Sequence, residues 1–269
     1  MRTVTSPDGT TIAFDQSGTG PALVLVGGIL EHRAMDSETS QLAALPLLAK
    51  HFTVIHYDRR GRGDSTDTQP YAVDREIEDI EALIDDAGSS AFVSGISSGA
   101  ALAFEAALAL GGKVQKIAMY EPPYNDDDAA RKAWRDYRKR LRKVLAEGRS
   151  GDAVGLFMTL VGMPAEDLHR MRQHSMWPMW EAVAPTIAYD AAVLGDDASV
   201  PTARASRLDV PALVMDGAAS YPFMQHTARA LVDAMPSARY QTLAGQTHVV
   251  RAEAIAPVLV EFFTNARRG

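Results

Sequence analysis

No cysteine occurs anywhere in the chain. That absence excludes disulfide frameworks, thiolate nucleophiles, zinc ribbons and iron–sulfur clusters. No run approaches the ~20 apolar residues that a membrane span requires, and Met1-Arg-Thr-Val-Thr-Ser-Pro-Asp8 has no apolar core of a secretory signal. Net positive charge is missing too. Lys and Arg total 27 against 34 Asp and Glu, leaving −7, so neither nucleic acid nor an anionic membrane is an expected partner. A soluble, cytoplasmic globular protein is the expectation. What is present is apolar material: 46% of 269 residues, enough to bury a core without disulfide or metal staples. One large α/β unit, or a core with an inserted cap, fits that length.

Turn-bounded runs predict strands at Thr3–Thr5, Thr11–Asp15, Ala22–Val26, Thr53–Tyr57, Ala91–Ser94, Val114–Met119, Ala212–Met215 and Tyr240–Leu243. Several are continuously apolar, the pattern of strands buried on both faces. Ile77, Ile80, Leu83 and Ile84 recur at helical spacing, with Asp74 as the expected N-cap and Gly88 as the stop. A closing helix is expected over Ala252–Asn265. Strands alternating with helices imply a mostly parallel sheet covered on both faces. Between Pro122 and Leu208 the alternation breaks into helical patterns at Ala129–Ala146, Asp152–Met163, Ala165–Gln173 and Met176–Leu194. The predicted organisation is a core of residues 1–122 and 209–269 with a helical cap at 123–208.

Gly95-Ile96-Ser97-Ser98-Gly99 follows an apolar strand and precedes the helical run Ala100–Leu110. This is G-x-S-x-G in the strand–turn–helix context that presents a serine hydroxyl above a sheet edge. The helix start also places backbone N–H groups, Ser98 included, where an oxyanion would develop. A serine hydroxyl needs a base. Of seven histidines, His248 stands out, because Ala244-Gly245-Gln246-Thr247-His248 follows the last strand and lies downstream of Ser97.

Other motifs read as structural. Asp58-Arg59-Arg60-Gly61-Arg62-Gly63-Asp64-Ser65 lacks both glycine-rich phosphate-loop patterns, so its arginines are expected to pair with nearby carboxylates. The basic run Arg131–Lys143 alternates with Trp134, Tyr137, Leu141 and Val144, which makes it a solvated helix face. Asp126-Asp127-Asp128 suits the positive start of that helix and lacks the spacing of a metal site. No metal or cofactor is expected. Met158, Met163, Met171, Met176, Trp177, Met179 and Trp180 make the cap apolar and pliable, suited to covering a hydrophobic small-molecule substrate. Trp180 and Tyr189 are the expected pocket-lining residues.

Gly-Ile-Ser-Ser-Gly, Tyr57-Asp58-Arg59-Arg60-Gly61-Arg62-Gly63-Asp64-Ser65 and Gly-Gln-Thr-His resemble the α/β-hydrolase superfamily over nearly the whole chain. Within it the sequence is similar to an actinobacterial group carrying Tyr120-Glu121-Pro122-Pro123 ahead of the cap. The resemblance implies the α/β-hydrolase fold, with Ser97 as nucleophile and His248 as base. Two departures matter. Most members place an Asp just beyond the penultimate strand; here Asp216-Gly217-Ala218-Ala219-Ser220 puts a serine there. The resemblance then implies Glu121, after the preceding strand, as the acid, with Asp216 as the competitor. Many members also carry His-Gly after the third strand, where this chain has Gly27-Gly28-Ile29, making Gly28 or Ile29 the expected partner of Ser98 in an oxyanion hole. Glu31 and His32, just beyond, are candidates for the pocket mouth, with a solvated loop as the favoured reading. The superfamily hosts many reactions. A serine hydrolase of a carboxylic ester or lactone is the expectation; a lyase, cyclase, perhydrolase or inactive binding protein stays open.

Overall fold

The computed structural model describes residues 1–34 and 41–265. Among them lie strands β1 (Arg2–Thr5), β2 (Thr11–Ser17), β3 (Ala22–Val26), β4 (Thr53–Tyr57), β5 (Ala91–Ile96), β6 (Val114–Tyr120), β7 (Ala212–Gly217) and β8 (Ala238–Leu243). The helices are α1 (Leu45–Leu48), α2 (Val73–Asp86), α3 (Ser98–Leu110), α4 (Asp128–Ala146), α5 (Ser150–Leu160), α6 (Ala165–Met171), α7 (Trp177–Val183), α8 (Ile187–Val193), α9 (Thr202–Ala205), α10 (Pro222–Ala234) and α11 (Ala252–Thr264). The strands form one sheet in the order β1-β2-β4-β3-β5-β6-β7-β8. β2 pairs antiparallel with β1 and β4, and every other pairing is parallel.

Side chains alternate across the pleat, and that alternation splits the core in two. Val24 and Val26 of β3, with Val93, Ile117 and Val214, pack under α2, α3 and α10. Leu23 and Leu25, with Phe92, Ala118, Leu213 and Met215, face α1 and α11 on the other side. Both faces are therefore dry, which is why these strands read as continuous apolar runs.

Helices α4–α9 all lie between β6 and β7. Tyr137 and Leu141 of α4, Ala153 and Val154 of α5, and Trp177, Val183 and Ile187 form a third apolar cluster, which reaches the loop after β3 at Leu30. The helix expected over Met176–Leu194 is broken: α7 ends at Val183, a 3₁₀ turn covers Ala184–Thr186, and α8 begins at Ile187. Pro185 has no N–H for an α-helical bond at that point. α2 is capped at Ala72 rather than Asp74, which instead lies in the first turn, where its carboxylate suits the helix dipole. On α4, Asp127 caps the helix by accepting from the Ala130 amide at 2.9 Å. Tyr137, Leu141 and Val144 of the same helix are buried, and Arg138 pairs with Asp196. Among the described residues no helix is long and apolar enough to cross a membrane, and no cluster of His, Asp and Glu could hold a metal ion.

Candidate active site

The loops at the carboxyl ends of β3, β5 and β6 each carry a non-glycine residue in the left-handed region: Leu30 (φ 63°), Ser97 (φ 55°) and Glu121 (φ 48°). Such backbone is strained for an L-residue, and strain of this kind gathers at functional sites. The Ser97 amide donates to Tyr120 O, and the Glu121 amide donates to Met215 O, both at 2.9 Å. The parallel ladder thus runs one step past β5 and β6 and fixes both residues by backbone bonds. Two glycines make the bend at Ser97 possible. A Cβ on Gly95 would stand 2.3 Å from Gly99 O, and one on Gly99 would stand 2.3 Å from Val26 O.

Glu121 is fully buried, and its carboxylate has three partners. Oε1 accepts from the Gly217 amide at 2.8 Å, and Oε2 accepts from Ser220 Oγ at 2.8 Å. Oε2 also lies 2.6 Å from His248 Nδ1. Ser220, at the position expected to hold an acid, is a donor to Glu121. A hydroxyl there satisfies a lone pair that a second carboxylate would have repelled. Asp216 turns the other way: it is buried, and its Oδ2 accepts from Tyr240 Oη at 2.6 Å. The His248 loop is pinned beside it. Tyr120 donates its hydroxyl to Thr247 O, and the Ala219 amide donates to Gln246 O at 2.9 Å.

The loop after β3 departs from expectation. Glu31 folds back so that its Oε2 accepts from the Gly28 amide at 2.6 Å. Gly28 is therefore engaged, which leaves Ile29 and Ser98 as the amides available to an oxyanion, since neither finds an acceptor among the described residues. Burial drives the Glu31 carboxyl above its ordinary range, against the Gly28 hydrogen bond and the Arg62 charge. Glu31 is half-buried on the cavity wall and His32 is buried, so neither residue belongs to a solvated loop. Burial likewise lowers the His32 imidazole.

Ser97, Ser98, Ile29, Glu31 and His248 all line one cavity of about 650 Å³, with Glu121 buried behind the imidazole. Ser97 and His248 both line it with no hydrogen bond between them; a nucleophile–base bond often tightens only in a substrate complex. The distal walls come from α4, α5, α8 and α10, through side chains such as Trp134, Phe157, Ile187 and Phe223. Among the described residues no Lys or Arg lines it, whereas Glu31, Asp190 and Asp197 do. Trp180 and Tyr189 are not on its surface. Trp180 packs edge-on to Trp177 and stacks with His174. Tyr189 stacks on Tyr71 at 3.8 Å and donates to Asp67. In each case the ring faces a neighbouring ring instead of the cavity, a direction that helical spacing alone does not reveal.

The alpha/beta hydrolase family model matches residues 23–258. The chain belongs to the alpha/beta hydrolase family. It is similar to the crystal structure of an alpha/beta hydrolase from Sphaerobacter thermophilus, at 54% identity over 98% of this chain and 100% of that one, with a TM-score of 0.87. An enol-lactonase from Burkholderia xenovorans shares the fold at 22% identity and TM-score 0.72, over 98% of this chain and 100% of the other. A thermophilic esterase from Thermogutta terrifontis does so at 21% identity and TM-score 0.72, over 97% of each chain. A "Probable oxidoreductase EphD" of Mycobacterium tuberculosis is 38% identical over 88 residues, 31% of this chain. That match spans only 14% of the mycobacterial protein.

A buried ionic layer borders the cavity. Asp190 of α8 is 1% exposed and accepts from Ser98 Oγ at 2.7 Å. The same carboxylate pairs with Arg59 and, at 2.6 Å, with Arg62. Arg59 is also held by Glu76 of α2 through bonds of 2.6 and 2.7 Å. Arg62 donates to Gly28 O at 2.6 Å and to Thr186 Oγ1 at 2.9 Å. Burial opposes ionisation of Asp190, but the two guanidiniums outweigh it and hold the carboxyl below its ordinary value. The expectation that the arginines pair with carboxylates is met, and one of the partners lies 131 residues away on the cap. An aspartate inside a helical apolar pattern gave no hint of this role. The arginine-rich turn was the one available signal that a buried carboxylate must come from somewhere.

Proposed function

We propose that this chain is a cofactor-independent serine hydrolase acting on the carboxylic ester or lactone of an uncharged, largely apolar small molecule. In this reading Ser97 Oγ attacks the acyl carbon, and His248 takes its proton. Glu121 holds the Nδ1–H of the ring, fixing its tautomer and stabilising the imidazolium. The Ile29 and Ser98 amides receive the oxyanion. His248 then returns the proton to the leaving oxygen, and water repeats the sequence on the acyl-enzyme. The observation that carries the reading is the 2.6 Å contact of His248 Nδ1 with a fully buried Glu121, behind a ring that shares its cavity with a strained serine. A largely apolar lining without Lys or Arg among the described residues supports a neutral substrate.

The reading includes a core of residues 1–122 and 209–269 under a helical cap at 123–208, and membership of the actinobacterial group that shares Tyr120-Glu121-Pro122-Pro123. It also includes a cytoplasmic protein with neither nucleic acid nor membrane as partner, consistent with a net charge of −7. The test is active-site labelling with a fluorophosphonate followed by peptide mapping. One label per chain, on Ser97, together with turnover of p-nitrophenyl esters, is the expected result. Absence of labelling and of turnover, with intact fold, would transfer the site to non-hydrolytic chemistry.

A further inference from the structure

Glu31, one of the titratable groups lining the cavity, has no part in the three-residue relay. Glu31 stands on the loop that should supply the first oxyanion amide, and its Oε2 takes the Gly28 N–H at 2.6 Å. A Cβ built on Gly28 would lie 3.3 Å from Ser97 Cβ and 3.6 Å from Glu31 Oε2. The carboxyl and the serine therefore flank the same point. We propose that Glu31 is a further catalytic residue: as a neutral carboxylic acid, it offers its O–H to the oxygen that becomes negative when Ser97 attacks. The assignment rests on the serine hydrolase reading and deepens it.

The logic is electrostatic. An ionised Glu31 would consume the Gly28 donor and add a like charge beside the developing oxyanion, opposing the very step the site serves. A protonated Glu31 still accepts from Gly28 through Oε2 and adds its own O–H as a third donor beside the Ile29 and Ser98 amides. Carboxylic acids kept neutral by a poorly solvated site can act as oxyanion donors in this way. The groups facing Glu31 are the Gly28 amide, Arg62 and His248, which favour its anion, and burial with Asp190, which favours its acid form. Burial is the largest of these influences and sets the direction upward. His32 and Arg59 border the small space behind it. In the attack step the Oγ–C bond forms, the carbonyl π pair moves to oxygen and the Oγ proton passes to His248. The Glu31 proton stays on Glu31 throughout.

The sign of the pH effect follows. The competent form is protonated, so its population falls as pH rises through the elevated pKa, and kcat/KM falls on the alkaline side. The experiment measures kcat/KM against pH for an uncharged p-nitrophenyl ester with wild type, Glu31→Gln and Glu31→Ala. Gln keeps both an acceptor for Gly28 and an N–H donor, and it cannot ionise; it should keep most of the activity and abolish the alkaline fall. Ala should lose about 10²-fold, the loss typical of one oxyanion donor. Identical alkaline limbs in wild type and Glu31→Gln, or undiminished kcat/KM in Glu31→Ala, would overturn the proposal. Fluorophosphonate labelling of wild-type Ser97 runs alongside. If it succeeds while the Glu31 variants behave like wild type, only the Glu31 role falls. If it fails, the serine hydrolase reading falls, and Glu31's role with it.

Discussion

The two walls of the cavity are built by different means. The sheet wall is set by backbone: Ser97 and Glu121 extend the parallel ladder through 2.9 Å amide bonds, and glycines allow the close approaches between β3, β5 and α3. The cap wall is set by side chains. It rests on an apolar cluster of α4, α5, α7 and α8 and is joined to the core through Arg59, Arg62 and Asp190. The difference teaches where tolerance lies. Backbone geometry repeats wherever the strand–turn–helix pattern repeats, whereas the cap wall changes with each side chain that faces inward. In the proposed reading, chemistry belongs to the first wall and selectivity to the second.

Substitutions can break that division. On the sheet wall, Ser97→Ala should reduce kcat on an activated ester by on the order of 10³-fold or more, with an unchanged melting temperature. A fall in activity accompanied by unfolding would mean that the bend itself had failed. On the seam between the walls, Asp190→Ala leaves two buried guanidiniums facing each other without their shared carboxylate. A loss of about 3–5 kcal/mol in denaturant unfolding is expected, as for breaking one side of a buried pair. The pH dependence has a definite sign. The folded Asp190 carboxyl lies below its ordinary 3.8, so its contribution is present above that value and disappears as pH falls through the folded pKa. Wild type should therefore lose stability on acidification more steeply than Asp190→Asn.

Effects on the cap wall should be smaller and selective. With Asp190 and Asp197 on the lining and no Lys or Arg among the described residues, a p-nitrophenyl half-ester of a dicarboxylic acid should react about tenfold or more slowly than the neutral ester of equal length. Equal rates would show that the acyl chain avoids this wall. Trp180→Ala, off the cavity surface, should change kcat/KM for a neutral ester by less than about threefold. A larger change would place the ring in the substrate's path.

The sequence made the first wall readable and the second mostly opaque, for the same physical reason. G-x-S-x-G after an apolar strand, Gly-Gln-Thr-His after the last one, and a serine where an acid was expected point to Ser97, His248 and Glu121 without any knowledge of side-chain direction. The parallel sheet was legible from apolar runs such as Ala22–Val26, because burial on both faces leaves no polar positions. Glu31 was misjudged since a glutamate on a short loop reads as solvated, and only the 2.6 Å return to Gly28 turns it inward. Asp190 was invisible, being one polar residue in a helix whose register against the core is decided by packing. Trp180 and Tyr189 were chosen for size and chemistry alone, and their rings point to His174 and Tyr71 instead.

The most direct test compares two carboxylates that end neighbouring strands. Steady-state kcat/KM on a neutral activated ester should fall by on the order of 10³–10⁴-fold in Glu121→Gln, in keeping with loss of a triad acid. Asp216→Asn, whose side chain meets Tyr240, should stay within about threefold of wild type. The opposite ranking, with Asp216→Asn inactive and Glu121→Gln near wild type, would contradict the account.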